Sequence, residues 1–333
     1  MKQLLLLFMS LLIALPAFAA TQAGNFTWTF DLSGQRPGEE AELWIPYPVS
    51  DAVQLISHLK WEGNYSEAAV YTERTFGVPM LYVRWKKGSK QRQLTFSFHA
   101  ERQKQVRRDF PQNEAAYDPR DFALYLAPTT LGPVTGKVKK LADQITAGKT
   151  GILEKARAVY DWTIENTFRD PKTRGCGLGD VTALLRRPGG KCADISSIYV
   201  ALARAAGVPA REILGIRTGK KAHQDVSKWQ HCWAEFYLPG YGWVPVDPAD
   251  VRKAMLKQKL QLGDPEVAEL RDAFWGQVDP YRIRLSEGRD LQLNPPQQGP
   301  AINYLMYPFA QVGGKTLDWL EPETFKYTIS WDQ

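Results

Sequence analysis

Gly189-Gly190-Lys191-Cys192-Ala193-Asp194 opens the stretch that decides how this chain folds. The stretch continues through a short apolar segment to Trp229-Gln230-His231-Cys232-Trp233-Ala234-Glu235. It closes on Gly242-Trp243-Val244-Pro245-Val246-Asp247-Pro248. The paired glycines allow a sharp bend and a close backbone approach. From Ala193 to Ala206 apolar residues recur at helical spacing, with Ile195, Ile198, Tyr199, Leu202 and Ala206 on one stripe. Gly207 and Pro209 are stop signals just beyond it. Cys192 is thereby placed at a helix N-terminus, where unpaired N–H groups and the helix dipole favour an anion. The thiolate is the nucleophilic form of cysteine, and such a position favours it.

Trp229 to Leu238 predicts a strand, with His231, Trp233, Glu235 and Tyr237 on one face and Cys232, Ala234, Phe236 and Leu238 on the other. Pro239-Gly240-Tyr241-Gly242 predicts a hairpin turn, and Trp243 to Asp247 the returning strand. The hairpin brings His231 and Asp247 together, so that Asp247 can hold the imidazole tautomer that accepts a thiol proton. Each residue alone has a plainer reading. A buried Cys is a small hydrophobe, a strand His a structural residue, and an Asp before Pro a turn former. Their joint order and placement favour a Cys–His–Asp catalytic set. A zinc site is disfavoured, because Cys176, Cys192, His231 and Cys232 lack a Cys-x-x-Cys spacing and His231 and Cys232 point to opposite strand faces.

The words Gly190-Lys191-Cys192-Ala193-Asp194, Leu202-Ala203-Arg204-Ala205-Ala206-Gly207-Val208-Pro209-Ala210-Arg211, His231-Cys232-Trp233-Ala234-Glu235-Phe236-Tyr237 and Gly242-Trp243-Val244-Pro245-Val246-Asp247 resemble the transglutaminase-like superfamily. That resemblance implies a papain-related fold, with Cys192 as nucleophile, His231 as general base and Asp247 as orienter. It implies acyl transfer from an amide to water or to an amine, as in peptidases, amidases and transglutaminases. It also admits inactive scaffolds, so the alternative is a non-catalytic periplasmic binding or assembly module. Phe168 stands where many relatives carry a polar-tipped aromatic, which leaves Trp162 or backbone N–H groups as oxyanion donors. Some relatives use calcium, but no acidic loop of the required kind is present and no cofactor is expected.

The rest of the chain frames this core. Met1 to Ala20 predicts a secretory signal: Lys2, an apolar run from Leu4 to Leu15, and Ala17-Phe18-Ala19 as the cleavage site. The run is too short for a stable membrane span, and the periplasm or secretion is expected. Removing the leader takes away Lys2 and no acid, so the formal charge of +6 becomes +5. That excess is too diffuse for nucleic acid, and the doublets Arg107-Arg108 and Arg186-Arg187 predict solvated faces. A peptide or protein substrate is expected, cell-wall peptides included. The 3 cysteines are an odd number for an exported chain. A Cys176–Cys232 bridge, a Cys176–Cys192 redox lock and free buried thiols all remain open.

Residues 21–105 predict a β-sandwich from the alternation Phe26, Trp28, Phe30, Leu32, then Leu81, Val83, Trp85, then Leu94, Phe96, Phe98. Within it, Trp44 to Pro48 predicts an edge strand, and Lys86 to Lys90 a hairpin turn. Residues 106–150 form a connection and a helix. Residues 151–250 hold the catalytic core, with a helix over Gly151 to Thr167 and a glycine-rich cleft wall from Arg174 to Asp180. Residues 251–333 are a C-terminal extension of helices and strands, with Gly313-Gly314 as the turn before the last strand. His223 is a rival base, disfavoured by its lysine-rich loop. The expected class is α+β: a sandwich, then a papain-like core whose cysteine helix packs on an antiparallel sheet.

Overall fold

The computed structural model describes residues 20–333; apart from Ala20, the leader expected over residues 1–20 lies outside the described residues. The fold is mixed, with antiparallel sheets and a helical layer. In strand Thr21–Asp31 residues alternate between buried and more exposed, as a strand with one covered face must. It pairs with Gln93–Gln103 on one side and with Tyr327–Asp332 on the other. Gln54–Gly63 and His223–Asp225 complete this five-stranded sheet. The facing sheet runs in the order Lys315–Thr316, Phe309–Val312, Ala41–Pro46, Pro79–Trp85, Glu67–Thr72. Phe26, Trp28, Phe30, Leu43, Val83, Trp85, Phe96 and Trp331 share the core between them. Burying one such aromatic side chain stabilises by about 2–3 kcal/mol.

This sandwich draws on more of the chain than residues 21–105. The last strand inserts beside the first, and Trp331 packs edge-on against Phe26 with ring centroids 4.9 Å apart. Alternation along a strand says which side chains are buried, and does not say which strand lies alongside. The same gap explains three further differences. Ala41–Pro46 is an interior strand, not an edge; Pro46 is its last residue, where a missing N–H costs only the final rung. Lys86 to Lys90 connects strands of opposite sheets, so it is a crossover and not a hairpin. Gly313-Gly314 turns Phe309–Val312 back onto Lys315–Thr316, with both glycines at positive φ, and does not precede the final strand.

The second half carries a four-stranded antiparallel sheet in the order Gly242–Val246, Gln230–Leu238, Ala210–Arg217, Arg282–Glu287. Helix Cys192–Ala205 lies against the strand Gln230–Leu238. Helices Gly136–Ile145, Ile152–Asn166 and Pro248–Gln258 pack on its other sides. All fourteen of its residues are buried, beyond the single apolar stripe that its periodicity predicts. A helix enclosed on every side can bury Ser197 and Arg204 as well, given partners: Ser197 donates to the Ala193 carbonyl, and Arg204 to the carbonyls of Ala210 and Ala127. Ile216, Ile283 and Leu285 of the four-stranded sheet join the sandwich core, so the two halves share apolar packing.

Candidate functional site

The thiol is positioned by its helix start. Lys191 is the N-cap and Cys192 the first helical residue. Asp194 closes the turn: one carboxylate oxygen accepts from the Lys191 N–H at 3.1 Å, the other from the Gly179 N–H at 2.9 Å. The glycines around it are a spatial requirement. A Cβ on Gly177 would lie 1.9 Å from the Asp194 carboxylate, and one on Gly190 2.4 Å from its side chain. The Ala193 N–H donates to the Cys176 carbonyl at 2.9 Å, which stitches the glycine-rich loop to the cysteine helix. The Tyr304 hydroxyl donates to the Gly177 carbonyl at 2.6 Å and pins the loop from the other side.

The imidazole comes from the strand Gln230–Leu238, whose faces alternate as the sequence predicts. Ala234, Phe236 and Leu238 face the helices, while Trp233 packs with Ile213 and Val278. His231 Nε2 lies 2.8 Å from Asp247 Oδ2, and both side chains are buried. Asp247 is also the N-cap of helix Pro248–Gln258, where its Oδ1 accepts from the Asp250 N–H at 2.8 Å. With Nε2–H donated to Asp247, Nδ1 keeps its lone pair for the thiol. Hydrogen bonds from Cys176, Cys232 and His231 hold the Cys192 thiol well below the usual thiol range, against the opposing effect of burial. Cys176 and Cys232 are pushed up instead. Of the three, Cys192 alone combines the helix terminus with the imidazole, and both favour its thiolate form.

All three cysteines are free and buried, so neither disulfide arrangement is formed. Trp162 lines a separate apolar pocket with Val138, Leu141 and Leu185, away from the thiol, which removes it as an oxyanion donor. The Phe168 ring packs over Gly189. His223 is exposed and pairs with Asp332 at 2.6 Å on the sandwich sheet.

Sequence reasoning missed Arg282. Its guanidinium is fully buried and donates to Asp247, to Asp250 at 3.0 Å and to Asp279 at 3.0 Å. Burial opposes its charge, and the three carboxylates outweigh that effect. The carboxylates of Asp247 and Asp250 with the His231 ring place potential ligand atoms within 4.8 Å of one another. Arg282 already bridges the two carboxylates, and its fixed positive charge disfavours a cation there. No local signal marks Arg282, which lies on the strand Arg282–Glu287, far along the chain from the thiol. Gln230 was also missed. Its buried side chain lines the same cleft as the thiol; its amide approaches the Tyr327 hydroxyl and otherwise meets no partner among the described residues.

Cys192 and His231 lie in the wall of a cleft of about 700 Å³, together with Cys176, Gln230 and Trp229. The profile of the transglutaminase-like superfamily matches residues 139–248, the segment that holds Cys192, His231 and Asp247. An uncharacterized protein of Haemophilus influenzae is 35% identical over 330 residues, covering 91% of this chain and 89% of its own. The chain belongs to the transglutaminase-like superfamily. A protein-glutamine gamma-glutamyltransferase of Pseudomonas aeruginosa is 32% identical over 130 residues, which span 35% of this chain and 18% of that protein. A crystal structure from Cytophaga hutchinsonii, described as a candidate cysteine protease, superposes with a TM-score of 0.52 at 14% identity, over 94% of this chain and 99% of that one. That likeness is one of fold, and it extends over the sandwich as well as the transglutaminase-like core. Among the described residues no helix is long and apolar enough to cross a membrane.

Proposed function

We propose that this protein is an exported thiol enzyme that cleaves or transfers amide bonds through a Cys192 thioester. His231 Nδ1 takes the Cys192 proton, and the thiolate attacks the amide carbonyl carbon. The tetrahedral oxyanion collapses, the C–N bond breaks, and the imidazolium gives its proton to the departing amine. Water or a second amine then attacks the thioester while His231 takes its proton, and Cys192 is released as the thiolate–imidazolium pair. Asp247 keeps the imidazole tautomer and stabilises the imidazolium, and Arg282 fixes Asp247. The Cys192 N–H at the helix start and the Gln230 amide are the proposed oxyanion donors.

The observation that carries this reading is the buried His231–Asp247 pair at 2.8 Å beside a helix-terminal thiol held low. The name of the P. aeruginosa relative supports a glutamine amide as acyl donor. The leader supports export, which makes peptides and proteins outside the cytoplasm, cell-wall peptides included, the substrates to screen. The test is the iodoacetamide labelling rate of each cysteine against pH, read by mass spectrometry. Cys192 is expected to label fast well below the ordinary thiol pKa of about 8.5, and His231→Ala to slow it. An inert Cys192, or one titrating like a free thiol, would leave a binding module as the better reading.

A further inference from the structure

The cleft around the thiol is walled by cations. Arg169, Lys191, Lys220, Lys221, Lys253 and Lys257 line it, and none of the six has an ion-pair partner among the described residues. They come from separate parts of the fold: Arg169 ahead of the glycine-rich loop, Lys191 beside the nucleophile, Lys220 and Lys221 on the loop after Ala210–Arg217, and Lys253 and Lys257 on helix Pro248–Gln258. No aspartate or glutamate lines the cleft. Two further cations there are already engaged: Arg217 with Asp250, and Lys228 with Glu321 and Glu323. Lys253 and Lys257 lie one helical turn apart, on the same face. Lys253 is half-buried; burial and the nearby Arg217 push its ammonium below the usual lysine range, although Asp250 acts the other way. Like charges gathered this way repel one another and destabilise the cleft until an anion enters.

With the proposed acyl-transfer reading as its basis, we propose that the acyl donor is an acidic peptide whose carboxylates flank the reacting amide. The scattered origin of the cations, on elements before and after Cys192 in the chain, suits an extended ligand with several carboxylates better than one compact anion. Five of the six are lysines, which act as mobile point charges and tolerate carboxylates at varied positions, where arginine forks would demand fixed geometry. A peptide is favoured over a nucleic acid because the nucleophile acts on amides.

The test reads binding, so it stands apart from turnover. The full-length Cys192→Ser protein is titrated into a fluorescein-labelled peptide with glutamates on both sides of one glutamine, and into the same peptide with every glutamate replaced by glutamine. Fluorescence anisotropy is expected to show the acidic peptide bound about tenfold tighter or more at low salt, with the preference shrinking as salt screens the charges. Lys253→Gln/Lys257→Gln is expected to weaken the acidic peptide several-fold and to change the neutral one little. Equal binding of both peptides would overturn the proposal and leave the thiol chemistry standing, since that has its own test in the labelling rate of Cys192. An acidic preference left undiminished by the double substitution would show that Lys253 and Lys257 do not hold the carboxylates, and would overturn it too. Displacement of the acidic peptide by an equal concentration of short oligothymidylate would show a general polyanion surface, and the acidic-peptide assignment would fall.

Discussion

Arg282 donates to the same carboxylate oxygen of Asp247 that meets His231. Its charge is the counter-ion to three carboxylates, and it is fully buried. Arg282→Met would remove the shared counter-ion and leave Asp247 with only His231 and Asp250 mainly with Arg217 as charged partners; a loss of about 3–5 kcal/mol in urea unfolding is expected. Arg282→Lys keeps the charge and loses the fork, so it should recover part of the stability and little of the Cys192 labelling rate, because a mobile point charge does not fix Asp247 in one orientation as the guanidinium does. Gln230 belongs to the same scale. If its amide receives the oxyanion, Gln230→Ala should lower kcat by about 10²–10³ with KM little changed, once a substrate is in hand. An equal effect on KM would assign it to substrate binding instead. At this scale the sequence was most legible for Cys192, His231 and Asp247, since each sits on an element with its own local pattern. Arg282 and Gln230 matter through neighbours distant in the chain, and no local pattern reports such neighbours.

At the scale of elements, the start of the cysteine helix is the least tolerant part. Asp194 accepts two backbone N–H groups, from Lys191 and Gly179, and both Gly177 and Gly190 lie against its side chain. Gly177 combines that contact with φ of +91°. Gly177→Ala therefore meets strain and a clash together, and a loss of about 2–4 kcal/mol with slower Cys192 labelling is expected. Asp194→Asn keeps the shape while its amide oxygen accepts for only one of the two donors; a loss of about 1–2 kcal/mol in thermal or urea unfolding is expected. Should Asp194→Asn prove neutral, the loop would be held instead by Tyr304 on Gly177, by Arg289 and Asn303 on the Leu178 carbonyl, and by the Cys176 carbonyl.

At the scale of the molecule, the first and last of the described strands pair within the sandwich. Trp331 packs on Phe26 and over Gly24, and its strand completes the sheet begun by Thr21–Asp31. Trp331→Ala should cost about 3–5 kcal/mol, and cooperative unfolding should report it in the signals of both halves, because Ile216 and Ile283 share that core. Acid should act on the buried ion pairs. Although burial pushes the Asp250 carboxyl up, Arg217, His231 and Arg282 hold it well below the usual range; Glu235 is likewise held down by Arg211 against burial. A depressed folded pKa gives stability that is complete above the unfolded value of about 4 and is lost as pH falls toward the folded one. Urea midpoints should thus be level down to about pH 5 and drop below about pH 4.

The sequence by itself determined the local elements and the order of the chemistry. Two glycines, a cysteine and a helical stripe placed the thiol, and period-two alternation with a Pro-Gly turn placed the histidine and aspartate in one hairpin. These patterns are short-range, because backbone propensity and side-chain periodicity act within one element. Tertiary structure alone decided the rest. It set the last strand beside the first, made Ala41–Pro46 an interior strand, turned Lys86 to Lys90 into a crossover, buried the cysteine helix on every side, and gathered lysines from separate segments into one cleft. Strand neighbours and charge clusters follow from how whole surfaces pack, and that free energy belongs to contacts between residues far apart in the chain.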